Sequence, residues 1–467
     1  MPDLNLLARC AARRAEVVRQ LAAVGGGVAV LPTAPEALRN RDADYPYRHD
    51  SYFYYLTGFT EPHSLLVLQA TACGQSRSVL FCRDKDTERE IWDGFRWGPE
   101  AAREAFGVDA ALSINSLDAE LPKLLADQPA VWWPFAVHPG LETRVEGWLS
   151  AVRALARTGV TAPRTQHDLC AVLDDMRLFK DAYELDVIRR AAAISAQGHI
   201  RAMQASSRGL RQPPPQGLRE YHLEAELLHT FRQGGAQAPA YGSIVAAGAN
   251  ACVLHYRASE APVRAGELVL IDAACELDGY ASDITRTFPA DGRFTGPQRA
   301  LYDVVLAAQS AALAAAVEGA RFTDPHDVAL RVLAQGLLDH GLIARGKVSD
   351  VDGVIATGAY KRFYMHRTSH WMGMDVHDCG DYAEPGEAID IQPDGSRKRP
   401  ARILRESMVL TIEPGLYVRA ADDVPAAFHG IGIRIEDDIA VRAGGQPCEV
   451  LTAAAPKTVA DIEAVMR

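Results

Sequence analysis

Two aspartates, Asp272 and Asp283, lie in the stretch ELVLIDAACELDGYASDITRTFP, Glu267 to Pro289. An apolar run from Leu268 to Ile271, a break at Glu276-Leu277-Asp278-Gly279 and a return run from Ile284 to Phe288 read as a hairpin. With Leu277-Asp278 as the two-residue loop, Asp272 stands opposite Asp283. With Asp278-Gly279 as the loop, Asp272 faces Thr285 and Asp283 is its diagonal neighbour. Both registers send the two carboxylates out of one face, their Cβ atoms about 4.5–8 Å apart. Like charges at that range destabilise adjacent strands unless a cation lies between them. A solvated outer face is the bland alternative, and the flanking apolar run counts against it.

Three later stretches hold further groups of the same chemistry. In MVLTIE, Met408 to Glu413, alternation puts Thr411 and Glu413 on one face. In GIGIRIEDDI, Arg434 and Glu436 share a face opposite Ile433 and Ile435. Between them and the hairpin lies YMHRTSHWMGMDVHD, with His366, His370 and His377. If Asp272, Asp283, Glu413, Glu436 and one of these histidines converge, four carboxylates face each other. Two divalent cations match that charge, whereas one leaves an excess. The set is oxygen-rich and lacks thiolate, which favours Mn²⁺, with Zn²⁺ or Co²⁺ as alternatives. A two-metal site polarises a substrate oxygen and acidifies water. There is no H-E-x-x-H and no G-x-S-x-G, and Gly430-Ile-Gly432 lacks the third glycine of a dinucleotide loop.

These residues need a scaffold, and 467 residues are enough for two or three domains. The first part alternates helix and strand patterns. A helix is predicted over Leu4–Ala23, strands at Val28–Leu31, Ser64–Gln69, Ser78–Cys82 and Ala130–Phe135, and helices near Pro99–Phe106 and Gly140–Ala156. This reads as an α/β domain over 1–174. From 175 to 467, helices at Tyr183–Ser206, Leu218–Gly234, Gln298–Val317 and Asp324–Gly341 are segregated from the hairpin and from two late strands, Met408–Val418 and Gly432–Val441. That pattern reads as α+β with a mostly antiparallel sheet. Asp381–Arg399, rich in Gly, Pro, Asp and Arg, reads as an irregular insertion.

Forty-nine basic against 60 acidic residues give a net charge of −11, which offers no footprint for nucleic acid or anionic lipid. No apolar run approaches the ~20 residues of a membrane span, and the amphipathic N-terminus does not resemble a signal peptide. Eight dispersed cysteines without a C-x-x-C pair fit reduced thiols. The expectation is a soluble, cytoplasmic protein.

VLIDAACELDGYASDITRTFP, SHWMGMDVHD, TIEPGLY and GIGIRIEDDI together resemble the metal-site motifs of the Xaa-Pro aminopeptidases (aminopeptidase P), relatives of prolidase and methionine aminopeptidase. RNRDADYPYRHDSYFYYLTGFTEP resembles that family's N-terminal domain, so the likeness covers nearly the whole chain. The resemblance implies a pita-bread catalytic domain behind a smaller α/β domain, in dimers or tetramers. It implies two divalent ions, most often Mn²⁺, held by Asp272, Asp283, His370, Glu413 and Glu436. It makes His255, His366 and His377 substrate and transition-state contacts, and Arg434 the partner of a ligating aspartate. The implied reaction releases the N-terminal residue from peptides with proline second, Glu413 handling the proton. His366 is expected to line the proline pocket, and Trp92 or Trp97 to reach in from a neighbouring subunit. A prolidase restricted to dipeptides, with Arg397, Lys398 or Arg399 closing on the proline carboxylate, is the enzymatic alternative. A peptide-binding scaffold of the same fold is the other, and the intact ligand positions count against it.

Overall fold

The structure, a computed structural model, describes residues 3–257, 260–344, 346, 348, 350–391 and 397–467. Two compact units divide the chain, residues 1–176 and 177–467.

The first unit is built on a mixed sheet of six strands: β1 (Gly26–Pro32), β2 (Leu65–Thr71), β3 (Ser76–Cys82), β4 (Ala110–Ser113), β5 (Ala130–Trp133) and β6 (Thr165–Asp168), in the order β4-β3-β2-β1-β5-β6. Alternate residues of these strands share a face. Val28, Val30, Val67, Val79, Phe81 and Val131 accordingly pack with Leu121, Leu125, Val145 and Trp148 of the helices Leu117–Leu125 and Leu141–Ala154. Helix Leu4–Ala23 packs against β1 and β2 and buries Cys10, Val17 and Leu21. The aromatic run Ser51–Tyr55 forms the helix Ser51–Thr57, with Phe53, Tyr54 and Tyr55 inside the unit.

In the second unit every named strand pair is antiparallel. Its strands are β7 (Ala238–Pro239), β8 (Ile244–Ala247), β9 (Leu268–Asp272), β10 (Cys275–Glu276), β11 (Thr285–Pro289), β12 (Asp390–Ile391), β13 (Arg397–Lys398), β14 (Val409–Ile412), β15 (Gly415–Val418), β16 (Ile431–Arg434), β17 (Asp437–Ala440) and β18 (Glu449–Val450). They form sheets in the orders β11-β9-β8, β14-β17-β18 and β15-β16, with short β10-β7 and β12-β13 ribbons. The helix Ala182–Arg211 starts at a capping box, Asp181 with Glu184, and lies against the hairpin. Its Ser195 hydroxyl accepts the Cys275 amide at 2.9 Å, and its His199 Nε2 bonds the Ala273 carbonyl at 2.8 Å. Burial lowers the His199 pKa to about 4, so the ring is neutral and Nε2 donates. The helix thus braces the backbone between the two aspartates.

Two expectations need correction. Met408–Val418 and Gly432–Val441 are not continuous strands. The first breaks at Glu413-Pro414 and the second at Ile435-Glu436, and each half joins a different sheet. Pro414 has no N–H for a ladder, and both carboxylates sit at the breaks. Asp381–Arg399 is not wholly irregular, since β12 and β13 pair Asp390 with Lys398 and Ile391 with Arg397. Residues 392–396 of that insertion lie outside the described residues.

Among the described residues no helix is long and apolar enough to cross a membrane, and the eight cysteines are free thiols.

Candidate metal centre

The hairpin adopts the second of the two registers. Asp272 pairs with Thr285 at the end of β9, and Leu277 bridges Tyr280 around Asp278 and Gly279. Both turn residues have positive φ, 50° and 81°, as a tight I′ turn demands. Asp283 stands two residues before β11, on the Thr285 side.

Glu413 and Glu436 are fixed by their own backbones. The Glu413 amide bonds the Thr368 carbonyl at 2.8 Å, and the Glu436 amide bonds the Thr285 carbonyl at 3.1 Å. Gly432 lets β16 approach closely, because a Cβ there would strike the Ala251 carbonyl. His370 follows the irregular segment after Phe363. Its Nδ1 donates to the Trp371 carbonyl at 2.9 Å, which leaves Nε2 facing the carboxylates, 3.4 Å from Asp283 and 3.9 Å from Glu413.

One cavity of about 280 Å³ is lined by Asp272, Asp283, His370, Glu413, Glu436, Arg434, His255, His366 and His377, together with Leu254, Arg367 and Ser369. Every residue of the second unit singled out above as ligand, substrate contact or Asp partner therefore faces one space. Asp283, His370 and Glu436 each offer a ligand atom within 4.8 Å of the others. Burial, with Asp283, Glu413 and Asp272 adding repulsion, pushes Glu436 well above the usual carboxylate range. Burial likewise raises Asp272 against the pull of Arg434, and it lifts Glu413 to about 7. Burial opposes charge on His370, yet Asp283 and Glu413 raise it to about 9. These carboxylates repel one another in a dry site, and the one imidazole among them is driven to take a proton.

Arg434 organises one wall. It donates to Asp272 Oδ2 at 2.5 Å, to Thr285 Oγ1 at 3.0 Å and to the Tyr417 hydroxyl at 3.1 Å. The Thr285 hydroxyl in turn donates to Glu436 Oε2 at 2.5 Å. His366 bonds the Arg367 carbonyl through Nδ1 at 2.7 Å and lies 2.8 Å from Tyr417 through Nε2. Burial, with the Arg434 charge beside it, lowers His366 to about 3, so the ring is neutral and Nε2 accepts from Tyr417. His377 and His255 are exposed at the rim, and His377 meets the His370 ring edge-on at 4.3 Å between centroids.

Sequence reasoning missed three groups. The Tyr241 hydroxyl lies 2.7 Å from Asp272 Oδ1 and 2.5 Å from Asp283 Oδ1, although it has one proton for two carboxylates. Asp438 is fully buried, and its Oδ2 accepts the Asp283 amide at 2.8 Å. Its Oδ1 has no hydrogen-bond partner among the described residues. The doubled aspartate after Glu436 was the available signal for Asp438; Tyr241, in a Gly/Ala-rich stretch, offered none. Ser369, whose buried hydroxyl also lacks a partner among the described residues, lines the cavity. The tryptophans belong to the first unit. Trp92 is 82% exposed, and Trp97 packs edge-on against Phe95 and Phe106. Arg397, Lys398 and Arg399 are exposed and are not among the cavity-lining residues.

A buried cluster of carboxylates with one inward-facing imidazole is the donor set of a candidate metal centre, and comparison with known proteins gives a metallopeptidase family. The model of metallopeptidase family M24 matches residues 186–443, and that of the aminopeptidase P N-terminal domain matches residues 10–132. The chain belongs to metallopeptidase family M24. Within it, the chain is 41% identical to the Xaa-Pro aminopeptidase of Escherichia coli strain K12, over 97% of this chain and 96% of that protein. The structure of Pseudomonas aeruginosa aminopeptidase PepP is similar at 45% identity and a TM-score of 0.89, over 98% of each chain. That of E. coli aminopeptidase P with the inhibitor Pro-Leu is similar at 40% identity and a TM-score of 0.88, again over 98% of each.

Proposed function

We propose that this chain is a dinuclear, metal-dependent Xaa-Pro aminopeptidase, acting in the cytoplasm as a homo-oligomer on peptides with proline in second position. The carrying observation is the convergence of Asp272, Asp283, His370, Glu413 and Glu436 on the cavity that His255, His366 and His377 also line. The donor set fits divalent cations. With Asp438 counted, five buried or half-buried carboxylates against the buried Arg434 guanidinium leave four negative charges, the charge of two divalent ions. Oxygen donors with one imidazole favour Mn²⁺. When bound, the cations polarise the scissile carbonyl and acidify water.

The protein groups divide the remaining work. Glu413 accepts the proton of the attacking water on its carboxylate and delivers it to the imide nitrogen as the C–N bond breaks. The products are a free amino acid and a peptide beginning with proline. His255 and His377, at the exposed rim, donate to the oxygen that gains charge in the tetrahedral intermediate. Proline brings no N–H to its pocket, so the His366 ring, locked neutral between Tyr417 and the Arg367 carbonyl, offers it an uncharged wall. Arg434 and Thr285 hold Asp272 and Glu436 in place throughout.

The test is metal analysis joined to a series of Xaa-Pro, Xaa-Pro-Yaa and longer peptides compared by kcat/KM. Two ions per chain are expected, with tripeptides and longer cleaved at least as well as the dipeptide. Turnover of the dipeptide alone makes the protein a prolidase, and one ion or none in a fully active preparation removes the dinuclear assignment.

A further inference from the structure

Arg367 lines the cavity, and neither the ligand set nor the catalytic contacts use it. Its backbone is committed, since its carbonyl accepts a hydrogen bond from His366 Nδ1 at 2.7 Å. Its side chain is exposed and has no hydrogen-bond or ion-pair partner among the described residues. The other guanidinium of the cavity, Arg434, is 4% exposed and satisfied by Asp272, Thr285 and Tyr417. His370 faces inward between Asp283 and Glu413. Positive charge open to an arriving ligand is therefore carried by Arg367.

The cavity is polarised by this arrangement. Its floor is acidic, which suits the ammonium end of a peptide. Arg367 follows His366, the residue assigned above to the proline pocket. Both residues line the cavity, and an extended chain advances about 3.3 Å per residue, so the residue after a proline seated against His366 lies within an arginine side chain's length of that pocket. In a tripeptide that residue carries the free α-carboxylate, and a guanidinium presents a planar fork that matches it.

We propose that Arg367 is a specificity-determining residue: it pairs with the C-terminal carboxylate of Xaa-Pro-Yaa tripeptides and biases the enzyme toward short peptides with a free C-terminus. This inference rests on the aminopeptidase function proposed above. A carboxylate contact made at the solvent-exposed mouth is screened by salt, so the bias also weakens as ionic strength rises.

The experiment compares Xaa-Pro-Yaa as free acid and as C-terminal amide, in wild type and in Arg367→Gln and Arg367→Lys, each loaded with Mn²⁺. The quantity read is the acid-to-amide ratio of kcat/KM, which cancels general damage to the site. A wild-type ratio of ~10 is expected, carried by KM, falling toward one in Arg367→Gln and partly kept in Arg367→Lys. A ratio near one in wild type, or one left unaltered by Arg367→Gln, overturns the proposal. Failure of the wild-type enzyme to cleave either tripeptide form would instead strike the aminopeptidase function, so the two failures are distinct.

Discussion

Replacing Tyr241 with phenylalanine removes one oxygen and one proton from the wall of the metal centre. That hydroxyl lies 2.7 Å from Asp272 and 2.5 Å from Asp283, and both oxygens belong to proposed metal ligands. A hydrogen bond to a charged acceptor contributes about 1.5–3 kcal/mol. At about 1.4 kcal/mol per decade, its loss converts to a fall in metal affinity of roughly 10- to 150-fold. The 10–100-fold cost typical of groups that orient metal ligands covers nearly the same range. Phenylalanine fills nearly the same volume, so the packing around the ring persists. The measurement is competition for Mn²⁺ against a chromophoric chelator, with the thermal midpoint of the metal-stripped protein recorded in parallel. Mn²⁺ affinity should fall by at least ~10-fold. An affinity within about twofold of wild type would refute the role given to this hydroxyl.

Replacing His377 with alanine should lower kcat by roughly 10²-fold while metal content stays near wild type, because an oxyanion contact acts in the transition state. Loss of metal in that variant would make His377 a ligand. In metal-stripped protein, His370 is raised to about 9 and Glu413 to about 7, so the folded state binds more protons than the unfolded chain. Stability is then present below the unfolded values, near 6.5 for His and 4.5 for Glu, and is lost as pH rises through about 7 and about 9. The stripped protein's thermal midpoint should fall between pH 5 and 9, and Mn²⁺ should restore it most at the alkaline end. A midpoint that rises over that range would contradict the assignment.

Much of the centre was legible because its first pair is local. Alternation along β9 and the turn at Asp278-Gly279 place Asp272 and Asp283 on one side without tertiary information. The register was not decided by sequence, since Leu277-Asp278 and Asp278-Gly279 are both usable loops. Positive φ at both Asp278 and Gly279 decides it in the structure. The breaks at Glu413-Pro414 and Ile435-Glu436 were hidden, because apolar residues at alternate positions resume beyond each, at Leu416 and Val418 and at Ile439 and Val441. Pro414 was the local hint. Tyr241 and Asp438 act through partners 31 and 155 residues away, respectively, which periodicity does not report. Arg434 and Glu436, read as sharing a strand face, both line the cavity although the strand breaks between them, and the bonds of Arg434 to Thr285 and Tyr417 are tertiary facts.

The hairpin closes on itself, whereas its counterweights arrive late: Arg434 is 162 residues beyond Asp272, and Glu436 is 151 beyond Thr285. A hairpin of this kind forms in about 1–10 μs. At ~5–20 residues per second, a ribosome needs roughly 8–30 s to supply the intervening chain. Throughout that interval a hairpin that forms has neither Arg434 nor Glu436 beside its two aspartates, and an isolated hairpin is marginal in water. The aspartate pair is therefore completed only by the finished polypeptide, once residues 434–436 have been made.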